Sequence, residues 1–140
     1  MAEKIRERFG ILIRPTGRFE IVQLGFEGTS QKLLDALVEY FDGQVEWART
    51  SDGYAYITRE GAFDDGCMRN DAASWFANIT LFGEVIVIPK KNDHDERITW
   101  TMGDAYRRKV WMRTQWERDC DYRAHPERFN FKNSAVKVKA

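Results

Sequence analysis

Hydrophobic positions along the chain recur first with a period of two. In "FGILIRPTGRFEIVQLGF", Ile11 and Ile13 alternate with Leu12 and Arg14, Pro15-Thr16-Gly17 supplies a reversal, and Phe19, Val22 and Leu24 continue an apolar strand. This is the pattern of a hairpin. The period then lengthens. In "TSQKLLDALVEYFDG", Leu33, Leu34, Leu37, Val38 and Phe41 form one helical stripe, with Ser30 placed to cap it and Gly43 to stop it. A second hairpin follows in "QVEWARTSDGYAYITRE", turning at Asp52-Gly53. A shorter helix is expected in "NDAASWFANI". After it, Val85, Ile86, Val87 and Ile88 run together and Pro89 ends them, as in a strand covered on both faces.

Beyond a charged connection, "KKNDHDER", the stretch "TMGDAYRRKVWMRTQWERDC" admits two patterns. Thr101 with Asp104 suits a helix start, and Met102, Ala105, Tyr106, Val110, Met112, Trp116 and Cys120 fall on one side of a helix. Alternation in "ITWTM" and "KVWMRTQW" would instead give a hairpin near Gly103-Asp104. The long apolar arc without breakers favours the helix, over about residues 101–123. Trp111 points away from most of the other apolar groups in either form. The order of elements predicts an α+β fold: one compact domain over residues 1–125, a mostly antiparallel sheet of about five strands, and two to three helices on one face. Residues 126–140 are expected to form a polar tail.

Composition narrows the functional classes. The 140 residues are 43% hydrophobic and 31% charged, normal for a globular chain with its own core. Five Trp, five Tyr and nine Phe are a surplus that favours a well-filled core, an interface or both, and homo-oligomerisation is expected from it. No apolar run is long enough to cross a bilayer, and "MAEKIRERFG" lacks the apolar stretch of a secretory signal, so no membrane contact and a cytoplasmic location are expected. Cys67 and Cys120 are the only cysteines and His94 and His125 the only histidines; neither pair has zinc-ligand spacing. The net charge is zero but unevenly spread, +6 over residues 106–140 and −6 over the rest.

"AFDDGCMRND" is the densest cluster of reactive groups. Asp64 and Asp65 are adjacent, so their side chains diverge and share no proton. The spacing of a calcium loop is missing, although Asp64 and Asp71 could hold a magnesium ion in a metal-dependent enzyme using carboxylates. Cys67 has no histidine near it in sequence to act as a base. The simpler reading is a turn at Asp64-Asp65-Gly66 followed by Asn70 or Asp71 accepting hydrogen bonds from the amides that open the next helix. No phosphate loop, dinucleotide fingerprint or Gly-x-Ser-x-Gly elbow occurs. No cofactor is expected. What remains is "YRRKVWMRTQWER", where Arg107, Arg108, Trp111 and Arg113 are the candidate binding residues. Guanidinium groups grip phosphates or carboxylates, and an exposed indole stacks on a base or fills a partner's pocket.

The run "YAYITREG", then "MRNDAASWF", then "ITLFGEVIVIP" resembles a small domain family of unknown function found in phage, plasmid and bacterial genomes. Its members show a strand ending in Glu-Gly, an Asn a short distance on, a nearby Ala and a Gly-bearing strand. Those positions fall here on Glu60, Gly61, Asn70, Ala73 and Gly83, within Gly53–Pro89. The preceding hairpin and helix suit the same layout, while the basic C-terminal extension has no counterpart. The resemblance carries no activity. It implies a mobile-element accessory protein, in the cytoplasm of the host cell, that acts by binding rather than catalysis. The expected role is counter-defence or host takeover, by sequestering a nucleotide-like signal or occluding a host protein. The alternative is a nucleic-acid-binding accessory protein using the same basic aromatic element.

Overall fold

A computed structural model of the chain describes residues 6–50, 52–89 and 99–129. The expected charged connection at 90–97 and the tail beyond 129 lie outside the described residues. The strands are β1 (Glu7–Ile13), β2 (Phe19–Phe26), β3 (Val45–Arg49), β4 (Tyr54–Arg59) and β5 (Val85–Pro89). The helices are α1 (Ser30–Phe41), α2 (Asp71–Ala77) and α3 (Met102–Ala124), and a 3-10 turn follows at Pro126–Phe129. The five strands form one sheet in the order β2-β1-β5-β4-β3, antiparallel at every pairing. The α+β class and the antiparallel sheet are therefore as the sequence predicts. The stretch over residues 102–124 is a helix, not a hairpin.

Both hairpins turn where the punctuation residues stand. Arg14 N–H donates to Arg18 O at 2.9 Å across Pro15-Thr16-Gly17. In the second, Asp52 Oδ1 accepts from Tyr54 N at 3.0 Å. The following Gly53 takes φ +89°, which a side chain would strain. The caps of α1 sit one residue away from their expected places. Thr29, not Ser30, is the N-cap, its side chain accepting from Lys32 N, and Asp42 rather than Gly43 adopts the left-handed conformation that ends the helix. A short polar side chain tolerates that conformation, so glycine is not required there.

The helices do not gather on one face, and the central strands show why. Because side chains alternate across a strand, burial of both sets requires cover on both sides. Ile11, Ile13, Val85, Ile86, Val87 and Ile88 have no measurable exposure. On one face Leu12, Leu24, Ala55, Ile57, Ile86 and Ile88 pack with Leu33 and Leu37 of α1. This helix carries the chain from edge strand β2 to the opposite edge strand β3. On the other face Phe19 meets Phe76 of α2 edge-on at 6.1 Å. Tyr54 there meets the ring of Trp100 at 6.0 Å and lies under the guanidinium of Arg108 at 5.4 Å. The continuous apolar run of β5 carried this information, because a strand that is apolar at every position has no solvent face to offer.

The chain groups into two compact units, one through Lys109 and one from Val110 onward. Within the second, Arg123 pairs with Asp119 at 2.8 Å and stacks over Trp116 at 5.1 Å, and Arg128 pairs with Asp121 at 3.3 Å.

Leu37 is fully buried in the α1 side of the core. Leu37→Ala is expected to cost about 3 kcal/mol of unfolding free energy, as lost transfer energy plus a residual cavity. Urea denaturation measures it; a loss under about 1 kcal/mol would mean that α1 is not the cover of that face.

Candidate functional site

The segment from Arg59 to Glu84 contains the resemblance motif and most of the reactive groups. After β4 the chain folds into tight turns in which Asp65 N donates to Gly61 O at 2.8 Å, Gly66 N to Phe63 O at 3.1 Å and Cys67 N to Ala62 O at 3.0 Å. Asp64-Asp65-Gly66 is thus a turn, with Gly66 at φ +78°. Residues 68–70 then run antiparallel to 81–83: Gly83 N donates to Met68 O at 2.7 Å and Asn70 N to Leu81 O at 2.8 Å.

Asn70 is the centre of this segment and has no exposed surface. Its Nδ2 donates to Ile13 O at 2.8 Å and to Gly83 O at 2.9 Å, while its Oδ1 accepts from Ala73 N at 3.0 Å as the N-cap of α2. Both amide hydrogens and the carbonyl are used. One side chain therefore ties the end of β1, the start of α2 and the approach to β5. Ala73 is fully buried, and Gly83 has φ +74° with a hypothetical Cβ only 3.4 Å from that of Cys67. Three motif positions, Asn70, Ala73 and Gly83, are thus brought together by packing and hydrogen bonding. The other two do separate work: Glu60 N donates to Gln44 O at 2.8 Å, and Gly61 takes φ +77°.

Beside this clamp is a small cavity of about 200 Å³ lined by Tyr40, Phe41, Arg59, Ala62, Cys67, Phe82, Gly83 and Glu84. Its charged walls are already paired. Glu84 accepts from Arg14 and, at 3.1 Å, from the Tyr40 hydroxyl; Arg59 pairs with Asp65 at 2.6 Å. Burial, reinforced by Glu84, pushes the Tyr40 phenol up to about 12. Among the described residues no group of three or more His, Cys, Asp or Glu could hold a metal ion, so Asp64 and Asp71 do not meet a third ligand. Asp71 pairs with Arg69 at 3.1 Å. Cys67 and Cys120 are both free thiols.

The four predicted binding residues fall in two different situations. Arg107 pairs with Asp104, which that guanidinium and the Thr101 hydroxyl hold below the usual carboxylate range. Arg108 lies over the Tyr54 ring. Both belong to the first unit and both have partners in their own chain. Trp111 and Arg113, in the second unit, are exposed, Trp111 at 49%. Arg113 and Arg118 form no ion pair among the described residues, unlike Arg123 and Arg128. Arg118 follows Trp111 by seven residues, two helical turns, so the two share one face of α3, a placement the sequence spacing already gives.

No family model matches the chain, and no curated protein matches it. A solved structure, the crystal structure of small RNA methyltransferase HEN1, is similar with a TM-score of 0.51 and 16% identity, over 76% of this chain. The matched region spans 16% of that protein's length. At that identity the likeness concerns the fold.

Two expectations follow. Asn70→Ala removes a cap and strands two buried carbonyls, a loss of about 3 kcal/mol in urea unfolding. Asn70→Asp keeps a cap acceptor but cannot donate to those carbonyls, so it should be at least as unstable; near-native stability of the aspartate variant would reduce the role of Asn70 to capping. For Tyr40, a phenol raised in the folded state stabilises fully below about pH 10, and the contribution is lost as pH rises from 10 to 12. Unfolding at pH 9 and 11.5 should show a smaller fall for Tyr40→Phe than for the parent protein; equal falls would contradict the assignment.

Proposed function

We propose that the chain is a mobile-element accessory protein that works by binding rather than catalysis, and that it occludes a host protein through the second-unit portion of α3. The carrying observation is the half-exposed Trp111 with Arg118 two turns on along the same helix face. Arg118 and Arg113, which lies elsewhere on the helix surface, are both exposed and form no ion pair among the described residues. Tryptophan and arginine together are the commonest energetic anchors of protein interfaces.

Two considerations support a protein partner over the other candidates. A nucleotide-like ligand wants a concavity that buries most of its surface, generally 300 Å³ or more. The cavity beside Asn70 is smaller, about 200 Å³, and its arginine, Arg59, is paired with Asp65. A single helix face is convex and suits a macromolecule. A nucleic acid wants an excess of cations. Residues 110–129 instead carry four arginines and four carboxylates. The basic surplus of the C-terminal region comes from Arg107, Arg108 and Lys109 in the first unit and from lysines beyond the described residues. The mixed pattern fits the polar rim of a protein interface.

The test uses affinity capture from phage-infected cell extract with the parent chain and with Trp111→Ala and Arg113→Glu/Arg118→Glu variants. Each variant is expected to keep its circular dichroism spectrum and to recover a specific host protein at least about tenfold less well, the effect of one interface anchor. Undiminished recovery would overturn the proposal. So would co-purification of a turned-over small molecule, or salt-sensitive nucleic-acid binding lost in the same variants. A concentration-dependent dimer lost on Trp111→Ala would place a second copy of the chain on this face instead.

A further inference from the structure

Among the described residues of the first unit, Arg8 is the buried cation, only 5% exposed. It stands in the irregular part of the β1–β2 pairing, between the Glu7–Phe26 and Phe9–Gln23 partners. Its Nε donates to Phe26 O at 2.7 Å, but its Nη2 is buried with no hydrogen-bond partner among the described residues. Leaving such a group unpaired costs on the order of 1–3 kcal/mol or more for a charged donor. A guanidinium does not escape that cost by deprotonating. Burial does push its affinity for the proton down, opposed by Glu27 nearby, yet no ion pair joins Glu27 to Arg8 among the described residues.

The unused donor faces one particular place. A Cβ on Gly28 would lie 3.6 Å from Arg8 Nη2 and 2.9 Å from Lys32 Cδ. Gly28 immediately precedes Thr29, the N-cap of the twelve-residue α1, whose first turn contains no acid. Amides at a helix start point their hydrogens outward, and the helix dipole favours negative charge there. Lys32 belongs to that first turn and is exposed, its methylenes lying over Gly28. Both the lysine methylenes and Arg8 Nη2 thus border the space beside Gly28, and a long flexible side chain can turn away from it.

We infer that Arg8, Gly28, Lys32 and the opening amides of α1 form a binding niche for a phosphate-type oxyanion. The guanidinium supplies the buried hydrogen bond, the helix start supplies backbone donors, and Lys32 closes over the anion. Gly28 is the residue that leaves room for the lysine chain. This niche lies in the first unit and stands or falls independently of the partner-binding face of α3.

The test is a ¹H–¹⁵N titration with inorganic phosphate at constant ionic strength, with chloride as the control and AMP as a second arm. Saturable shifts are expected at the amides of Gly28 to Lys32 and at Arg8 Nε–H, with a Kd on the order of 1 mM. Lys32→Glu, at an exposed position, should fold normally and weaken binding at least tenfold. Where Arg8→Met folds, phosphate should no longer raise its Tm. AMP binding about tenfold tighter than phosphate would assign the anion to a nucleotide; equal affinities would assign it to free phosphate, and either supports the niche. Shifts that match chloride, that fail to saturate by about 50 mM, or that persist unchanged in Lys32→Glu would overturn it.

Discussion

The carboxamide of Asn70 is the contact on which the rest of the first unit depends. Three segments, at Ile13, Ala73 and Gly83, present backbone groups that the Asn70 side chain serves together. An interior without water makes unpaired backbone groups costly, so the junction needs one side chain with two donors and one acceptor in a fixed plane. Only an amide offers that set, and asparagine is short enough to reach all three while capping α2. The glycine at position 83 follows from the same crowding, because its backbone turns with φ +74° against Cys67. Asn70, Ala73 and Gly83 thus act together as a folding device.

Around that junction several charges of the first unit are paired internally. Arg14 bridges Glu20 and Glu84, Arg59 holds Asp65, and Arg69 holds Asp71. Partly exposed pairs like these add little stability, typically under 1 kcal/mol each. They do remove the residues from the pool available for recognition. The same holds for Arg107 with Asp104. Chemistry left over after such pairing is a better guide to binding than the raw abundance of charge. It points to Arg118 on the Trp111 face and to Arg113 on the same helix, and separately to Arg8 of β1 near Gly28.

Much of the fold could be read from the residues because local patterns and tertiary demands agree. The alternation in β1 and β4, the stripe of α1 and the Asp52-Gly53 turn each specify one conformation. The placement of helices on both faces was misjudged because element order says nothing about which side a helix crosses. The unbroken run Val85–Ile88 did say it. The turn nature of Asp64-Asp65-Gly66 and the capping role of Asn70 were also visible, since both are local properties. Less visible was the fate of individual arginines. Whether Arg107 or Arg118 is paired depends on the rotamers of neighbours, and Arg8 gives no sign in sequence of being buried, because a charged residue in an alternating strand reads as solvent-facing.

The central proposal is that the Trp111 face of α3 is offered to a protein partner. Hydroxyl-radical footprinting measures this directly, comparing side-chain oxidation of the chain in buffer and in its captured complex. The account predicts strong protection of Trp111, with the exposed Phe63 and Met68 near the Asn70 junction oxidised equally in both states. Protection centred on Phe63 and Met68, with Trp111 unchanged, would contradict it.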